Sequence, residues 1–398
     1  MAGAAGVNPF RRVLLIVLDG VGIGGMPDAA SYGDADAATL QHVAEAVGGL
    51  NLPHLDSLGL FRVAPYAGGN PEAPVRGAYG RMREQARGKD STAGHWELMG
   101  VTLDQPLPTF PQGFPDEVIR DFETAIGVRV LGNVAASGTE IIQTFGPEHL
   151  RTGRPIVYTS VDSVFQVAAH VDKVPLDRLY SWCRTARELL NPLRVGRVIA
   201  RPFSGSEAEG FARVAGRHDY SLPPVGTTVL DRLTAAGVEV QAIGKICDLY
   251  GGRGLTRQQP TTDNDEGMDA ILAALGRQDS GLIFANLVDF DMLWGHRLDS
   301  VGFARGLTRF DDWLGRLQSH LEDDDLLLIT ADHGCDPTTP GTDHTRERVP
   351  LLAWHAGMSA GIDLGERESF ADVGATVADN FGVGKEPGRS FLDQLAAG

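Results

Sequence analysis

Apolar residues run unbroken from Val13 to Leu18 and stop at Asp19-Gly20. A run apolar on both faces suits a central parallel strand covered by helices on either side. Leu40, Val43, Ala44 and Val47 follow at i, i+3, i+4, i+7 spacing, which predicts a helix that Asp36 is placed to cap. From Thr227 the same grammar returns. Thr227 to Ala236 reads as a helix stopped by Gly237, Val238 to Ile243 as a strand, and Gly281 to Val288 as another buried strand. Leu307, Phe310, Leu314, Leu317 and Leu321 recur at helical spacing, Leu326 to Thr330 reads as a fourth strand, and Asp372 is placed to cap a helix from Val373 to Asn380. Strands alternating with helices predict an α/β fold with a doubly wound, mostly parallel sheet.

Residues 105–222 break this pattern. They hold Pro-rich loops, an amphipathic segment from Asp116 to Thr124, and shorter strand candidates such as Pro155 to Thr159. The break predicts a smaller domain inserted into the first, so that 1–104 and 223–398 form a core and 105–222 a cap. The linkers fall near Gln105-Pro106-Leu107-Pro108 and Leu222-Pro223-Pro224. A length of 398 residues fits more than one domain, because a single hydrophobic core rarely grows past roughly 250 to 300 residues.

Charge narrows the partners. Lys+Arg is 35 against Asp+Glu 52, a formal net charge of -17, which argues against non-specific nucleic-acid or anionic-membrane binding. Phosphate ligands remain open, since divalent cations offset local carboxylates. The three cysteines, Cys183, Cys247 and Cys335, are scattered and form no CxxC, so neither a disulfide framework nor a thiolate zinc site is expected. No apolar run reaches the length of about 18 residues that a membrane span needs. Arg11 and Arg12 interrupt the weakly apolar start before any leader-like core forms. The expectation is a cytoplasmic protein.

In open α/β sheets, ligands bind beyond the carboxyl ends of the strands. Asp19 follows the first strand, Asp289 and Asp291 follow Leu287-Val288, and Asp332-His333 follow Ile329-Thr330-Ala331. His296 and His344 lie close behind in sequence. Any one strand-end Asp is more often a cap or turn residue than a ligand; the set on one predicted edge is harder to explain that way. Mixed carboxylate and imidazole ligands suit Mn²⁺, Zn²⁺ or Fe²⁺, and six or seven of them fit two ions sharing a site. In Gly88-Lys89-Asp90-Ser91-Thr92-Ala93-Gly94-His95-Trp96-Glu97, small hydroxylated residues precede an apolar helical segment. Backbone N–H groups at such a helix start favour a phosphate, and a Ser or Thr hydroxyl placed against divalent cations becomes a nucleophile. The competing reading is a plain Ser/Thr N-cap.

Taken together these motifs resemble the phosphopentomutases of the alkaline phosphatase superfamily. The resemblance runs through Leu18-Asp19-Gly20-Val21-Gly22, Gly88-Lys89-Asp90, Gly94-His95-Trp96-Glu97, Tyr158-Thr159-Ser160-Val161-Asp162-Ser163, Gly196-Arg197-Val198-Ile199-Ala200-Arg201-Pro202-Phe203, Asp289-Phe290-Asp291-Met292-Leu293-Trp294-Gly295-His296, Ala331-Asp332-His333-Gly334 and Thr342-Asp343-His344-Thr345-Arg346-Glu347. It implies a core of alkaline phosphatase type with an inserted smaller α/β cap. It implies one ion on Asp291, His296 and His344, and a second on Asp19, Asp332, His333 and the nucleophile oxygen. The family's nucleophile is usually Thr at the position of Ser91, so Ser91 is the candidate here, with Thr92 its rival. Ser204 to Gly210 and Arg348 also depart from the common pattern.

The resemblance further implies Mn²⁺, priming by a sugar bisphosphate, and interconversion of ribose 1-phosphate and ribose 5-phosphate, with the 2-deoxy sugars, through a phosphoenzyme. Substrate contacts fall to Ser160, Asp162, Val164, Arg197, Ile199 and Arg201, the guanidinium forks matching a phosphate. Lys245 or Lys89 is placed to stabilise phosphate charge. A mobile cap that excludes water would separate a mutase from a phosphatase with the same metals. Small pentose phosphates are the implied partners, and a monomer or weak oligomer is expected. A phosphatase, a phosphodiesterase or a cofactor-independent phosphoglycerate mutase are the rival enzymes, and a non-catalytic metal- or sugar-phosphate-binding protein the rival of another class.

Overall fold

A computed structural model describes residues 9–160, 163–384 and 387–396. They fall into two compact units, one formed by the residues up to Gln105 and from Pro224 onward, the other by Pro106–Pro223.

The first unit is built on an eight-stranded sheet. Its order is Arg257–Gln259, Val240–Ile243, Gly281–Leu287, Arg12–Leu18, Asp325–Thr330, Val349–Trp354, Ala78–Met82, Ile362–Arg367. All neighbours are parallel except the two pairs that Val349–Trp354 makes. The three strands at its middle, Gly281–Leu287, Arg12–Leu18 and Asp325–Thr330, are buried at every position. That burial on both faces is what the unbroken apolar runs encode. Leu18 lies opposite Leu287 and Val17 opposite Thr330. The residues that follow, 19, 288–291 and 331–333, therefore leave the sheet at the same edge.

Two caps differ from expectation. The helix Thr39–Ala46 starts with Ala38 in the cap position, not at Asp36. Its free N–H groups are taken by carboxylates remote in sequence: Asp336 accepts from Ala38 N at 3.0 Å and Glu347 from Thr39 N at 2.9 Å. Likewise Asp372 lies inside the first turn of Ala371–Asn380. Glu97 accepts from Phe370 N at 3.0 Å, while Asp372 itself pairs with Arg367 at 2.7 Å. Tertiary partners have replaced the local cap in both places.

The second unit has a six-stranded mixed sheet running Leu131–Ala135, Ile156–Thr159, Val164–His170, Arg197–Ser206 and Gly210–Arg213, with His218–Ser221 also paired to Arg197–Ser206. One face is covered by the helices Asp116–Ile126 and Leu176–Leu190, through Phe122, Phe165, Val167, Leu179 and Val198. The other packs Ile156, Tyr158, Ala168 and Phe203 against Ile141 and Ile142 of the helix Gly138–Thr152. No helix among the described residues is long and apolar enough to cross a membrane.

Candidate active site

The site in the first unit assembles where the three central strands end. Gly20 makes the turn after Arg12–Leu18 at a φ of +83°, and a Cβ there would stand 2.9 Å from Cys335 Cβ. Only glycine gives the chain that turn and that approach at no cost. Asp291 lies in a turn of π-helix, Phe290–Gly295, entered from Gly281–Leu287, and His296 follows its last residue. Asp332 and His333 follow Asp325–Thr330 after the single residue Ala331.

Ser91 is the first residue of the helix Ser91–Leu98. It is not the cap: Asp90 holds that position, its carboxylate accepting from Ala93 N at 3.1 Å. The Ser91 hydroxyl is thereby left to the site, with Oγ 3.0 Å from His333 Nε2 and 3.5 Å from Asp19 Oδ1. Thr92 makes no hydrogen bond to these groups among the described residues. Gly94 lets the helix press onto the Asp332 backbone, whose carbonyl oxygen would lie 2.1 Å from a Cβ at that position.

The ligating atoms of Asp19, Asp332 and His333 lie within 4.8 Å of one another, as do those of Asp291, His333 and His344. His296 joins through Nε2, 3.2 Å from Asp291 Oδ1 and 3.2 Å from His344 Nε2. Lys245 Nζ stands 3.5 Å from Asp19 Oδ2 and 3.8 Å from Asp291 Oδ2. Asp289 is turned elsewhere, accepting from Asn264 N at 2.8 Å at the start of the helix Asn264–Leu275. Lys89 is held between Asp34 at 3.1 Å and Asp343 at 3.2 Å.

The hydrogen bonds around this cluster test whether it suits cations. Nδ1 of His296 faces Thr342 O at 2.6 Å, Nδ1 of His333 faces Gly334 O at 3.0 Å, and Nδ1 of His344 faces Lys89 O at 2.8 Å. A carbonyl only accepts, so each Nδ1 carries a proton, and each ring turns Nε2, the atom free to offer a lone pair to a cation, toward the carboxylates. Two such lone pairs face each other across 3.2 Å in His296 and His344. Among the described residues, buried Asp291 Oδ1 and Asp332 Oδ2 have no hydrogen-bond partner. Lone pairs converging without hydrogens are repulsive until positive charge sits among them, and a mixed N/O donor set is what divalent transition metals accept. The same carboxylates call for positive charge at this spot: burial alone would lower the His333 imidazole, but Asp332, Asp19 and Asp291 outweigh it and hold it well above its usual range, so without a cation the ring itself takes up the proton that a bound cation would displace. Burial pushes Asp19 up, yet Lys245 and His333 hold it well below.

In the second unit, Val164 pairs with Arg197, Gln166 with Ile199 and Ala168 with Arg201. Residues 197, 199 and 201 alternate with the core positions Val198 and Ala200, so they share the opposite face. There they line a cavity of about 260 Å³ with Ser160, Val164, Arg213 and Arg217. Asp219 pairs with Arg217 at 2.7 Å and lies 3.7 Å from Arg197. Burial, together with the charge of Arg217, lowers Arg201. Asp162 lies outside the described residues. Arg213 escaped the sequence reading, and Arg217, part of the family motif Arg217-His218-Asp219-Tyr220, was given no role there. Arg213 ends the strand behind the divergent 204–210 loop, and a run of basic residues converging on one strand face was the available signal. Arg346 and Glu347, which the sequence offered only as part of the resemblance, also have roles that it did not assign. Arg346 Nη1 binds Glu84 at 2.5 Å and Gly88 O at 2.6 Å, tying down the approach to Ser91. Glu347 accepts from Thr39 Oγ1 at 2.6 Å and Thr345 Oγ1 at 2.7 Å.

Residues 11–385 match the model of the metalloenzyme superfamily. A phosphopentomutase of Syntrophotalea carbinolica is 56% identical over 389 residues, 98% of this chain and 99% of that protein. One from Carboxydothermus hydrogenoformans is 51% identical over 387 residues, 97% of this chain and 100% of its own. Among solved structures, a protein in the alkaline phosphatase superfamily from Vibrio parahaemolyticus is 11% identical, with a TM-score of 0.43 over 96% of this chain and 70% of that one.

Proposed function

The chain belongs to the phosphopentomutases of the metalloenzyme superfamily, and from that membership we propose that it interconverts ribose 1-phosphate and ribose 5-phosphate, and their 2-deoxy equivalents, through a phosphorylated Ser91. The observation that carries the reading is the position of Ser91 Oγ, 3.0 Å from His333 Nε2 and beside the carboxylate of Asp19. Asp291, His296 and His344 would hold one divalent ion, and Asp19, Asp332, His333 and Ser91 Oγ the other. When bound, the two ions, Mn²⁺ on the family resemblance, neutralise charge on the transferring group and activate the serine oxygen.

The chain's own residues do the rest. Ser91 Oγ carries the phosphoryl group, first supplied by a sugar bisphosphate. The bond from phosphorus to Ser91 Oγ breaks as one forms to the free hydroxyl oxygen of the pentose phosphate, giving a bisphosphate. That sugar reverses, and its other phosphate returns to Ser91. The N-terminus of the helix Ser91–Leu98 adds partial positive charge beside the moving group. Lys245 adds a full one. Arg197 and Arg201, with Arg213 and Arg217, grip the phosphate that stays on the sugar, while Ser160, Val164 and Ile199 shape the pocket. Asp162 is proposed for a sugar hydroxyl. The chain would act in the cytoplasm as a monomer or weak oligomer, with no nucleic-acid or membrane partner, as its net charge of -17 favours.

The test is intact mass and phosphosite mapping after incubation with a sugar bisphosphate and Mn²⁺. One phosphoryl group is expected on the wild type and on Thr92→Ala, and none on Ser91→Ala. Phosphate retained on Ser91→Ala, or net release of inorganic phosphate from ribose 5-phosphate with no ribose 1-phosphate formed, rejects the proposal.

A further inference from the structure

Behind the candidate ligands lie two polar side chains that the proposed reaction does not use. His95 and Asn286 are 0% and 1% exposed. Asn286 Nδ2 is 3.0 Å from Asp19 Oδ2 and 3.2 Å from His95 Nε2. Two amide hydrogens thus meet two acceptors; the flipped amide would set its oxygen against the Asp19 carboxylate. His95 Nε2 therefore accepts, and the ring proton sits on Nδ1. That Nδ1–H donates to Ser91 O at 2.8 Å and lies 3.0 Å from Asp332 Oδ2. The His95 ring is further fixed by Phe284, with centroids 6.1 Å apart.

The two residues form one chain of contacts from Asp19 through Asn286 and His95 to Asp332 and the backbone of Ser91. Asp19 has Oδ2 held from behind, which leaves Oδ1 toward His333 Nε2 at 3.3 Å and Ser91 Oγ at 3.5 Å. No contact of this chain reaches Asp291, His296 or His344 among the described residues. We propose that His95 and Asn286 are positioning residues for one of the two ions only, the one assigned to Asp19, Asp332 and His333, and that they set that ion and the nucleophile oxygen in a common register. The proposal rests on the two-ion reading above. Outer partners of ligating side chains typically contribute 10–100-fold to metal affinity.

The experiment is Mn²⁺ titration of the chelator-stripped protein, followed by electron paramagnetic resonance, with circular dichroism of each stripped variant. Asn286→Leu is expected to weaken one Mn²⁺ by about 10–100-fold and leave the other within about threefold. His95→Gln removes the donor at the Nδ1 position and is expected to do the same. His95→Asn places an amide N–H at the Nδ1 position and is expected to retain both ions within about threefold of wild type. Equal weakening of both ions, no weakening in either Asn286→Leu or His95→Gln, or identical behaviour of the His95→Asn and His95→Gln variants would overturn the proposal. Wild type that binds fewer than two Mn²⁺ would instead remove the two-ion reading beneath it, so the two failures are distinguishable.

Discussion

Gly94→Ala sets two physical effects against each other. Alanine is the better helix former by about 1 kcal/mol, so helix propensity alone predicts a more stable protein. The structure predicts otherwise. The new Cβ would stand 2.1 Å from Asp332 O, 2.9 Å from its carbonyl carbon and 3.0 Å from its Cβ, where ordinary contact begins at 3.4 Å. Backbone cannot yield as a flexible side chain would, so the helix Ser91–Leu98 must retreat by about 1 Å. Overpacking of this kind costs about 1–3 kcal/mol, which offsets the propensity gain and leaves a net loss of about 0–2 kcal/mol. The expected effect on catalysis is larger, because the proposed nucleophile, Ser91 Oγ, rides on that helix. A displacement near 1 Å costs about 100-fold in rate, or about 3 kcal/mol. The assay is conversion of ribose 1-phosphate to ribose 5-phosphate alongside thermal unfolding. Gly276→Ala is the control, since its Cβ would meet nothing closer than 3.8 Å. Gly94→Ala with turnover within threefold of wild type and a raised melting temperature would refute the close-approach argument.

Arg12 and Asp325 form a salt bridge at 2.5 Å with side chains 3% and 1% exposed; Arg12→Met, which strands the carboxylate, should cost about 3–5 kcal/mol, and Arg12→Met with Asp325→Leu should recover part of it in urea unfolding, the rest staying lost because Arg12 also donates to the Leu275 and Gln278 carbonyls. A double variant no more stable than the single one would show that the charges are not the reason. Asp311 is buried, and burial raises it to about 6 from an ordinary 3.8 against the donors Leu55 N and His54 N. Because the folded value is the higher one, its contribution to stability is full below about pH 4 and is lost as pH rises through about 6, by at most about 3 kcal/mol. Asp311→Asn should therefore gain on wild type between pH 4.5 and 7.5; a stability difference that does not change with pH contradicts this. Arg201→Ala should raise KM for ribose 5-phosphate about tenfold or more and weaken priming by the bisphosphate in step, because the same grip would hold the phosphate that stays on either sugar; an unchanged KM would remove Arg201 from the phosphate grip.

What could be read from the chain, and what could not, divides along the range of the forces involved. The strands Arg12–Leu18, Gly281–Leu287 and Asp325–Thr330 were legible because burial on both faces demands apolar residues at consecutive positions. Their tips were legible because polar residues must resume where burial ends. The register that levels Leu18 with Leu287 then carries Asp19, Asp291, Asp332 and His333 to one edge. The Ser91 helix start was legible for the same local reason, although its cap turned out to be Asp90. The missed features depend on partners remote in sequence. Asp36 and Asp372 had the local chemistry of caps, but Asp336, Glu347 and Glu97 reached those N–H groups first. Periodicity says which face of an element is buried; it does not say which of several carboxylates arrives there. Asn286 sits between these cases. An amide in the otherwise apolar strand Gly281–Leu287 is a local anomaly, since a buried amide must find hydrogen-bond partners or cost about 1–3 kcal/mol. Its partners, Asp19 and His95, come from strand and helix segments 267 and 191 residues away. An isolated polar residue near the carboxyl end of a fully buried parallel strand is therefore a signal that sequence reading can use: it points to a charged site pressed against the strand tip, before any of the residues of that site are known.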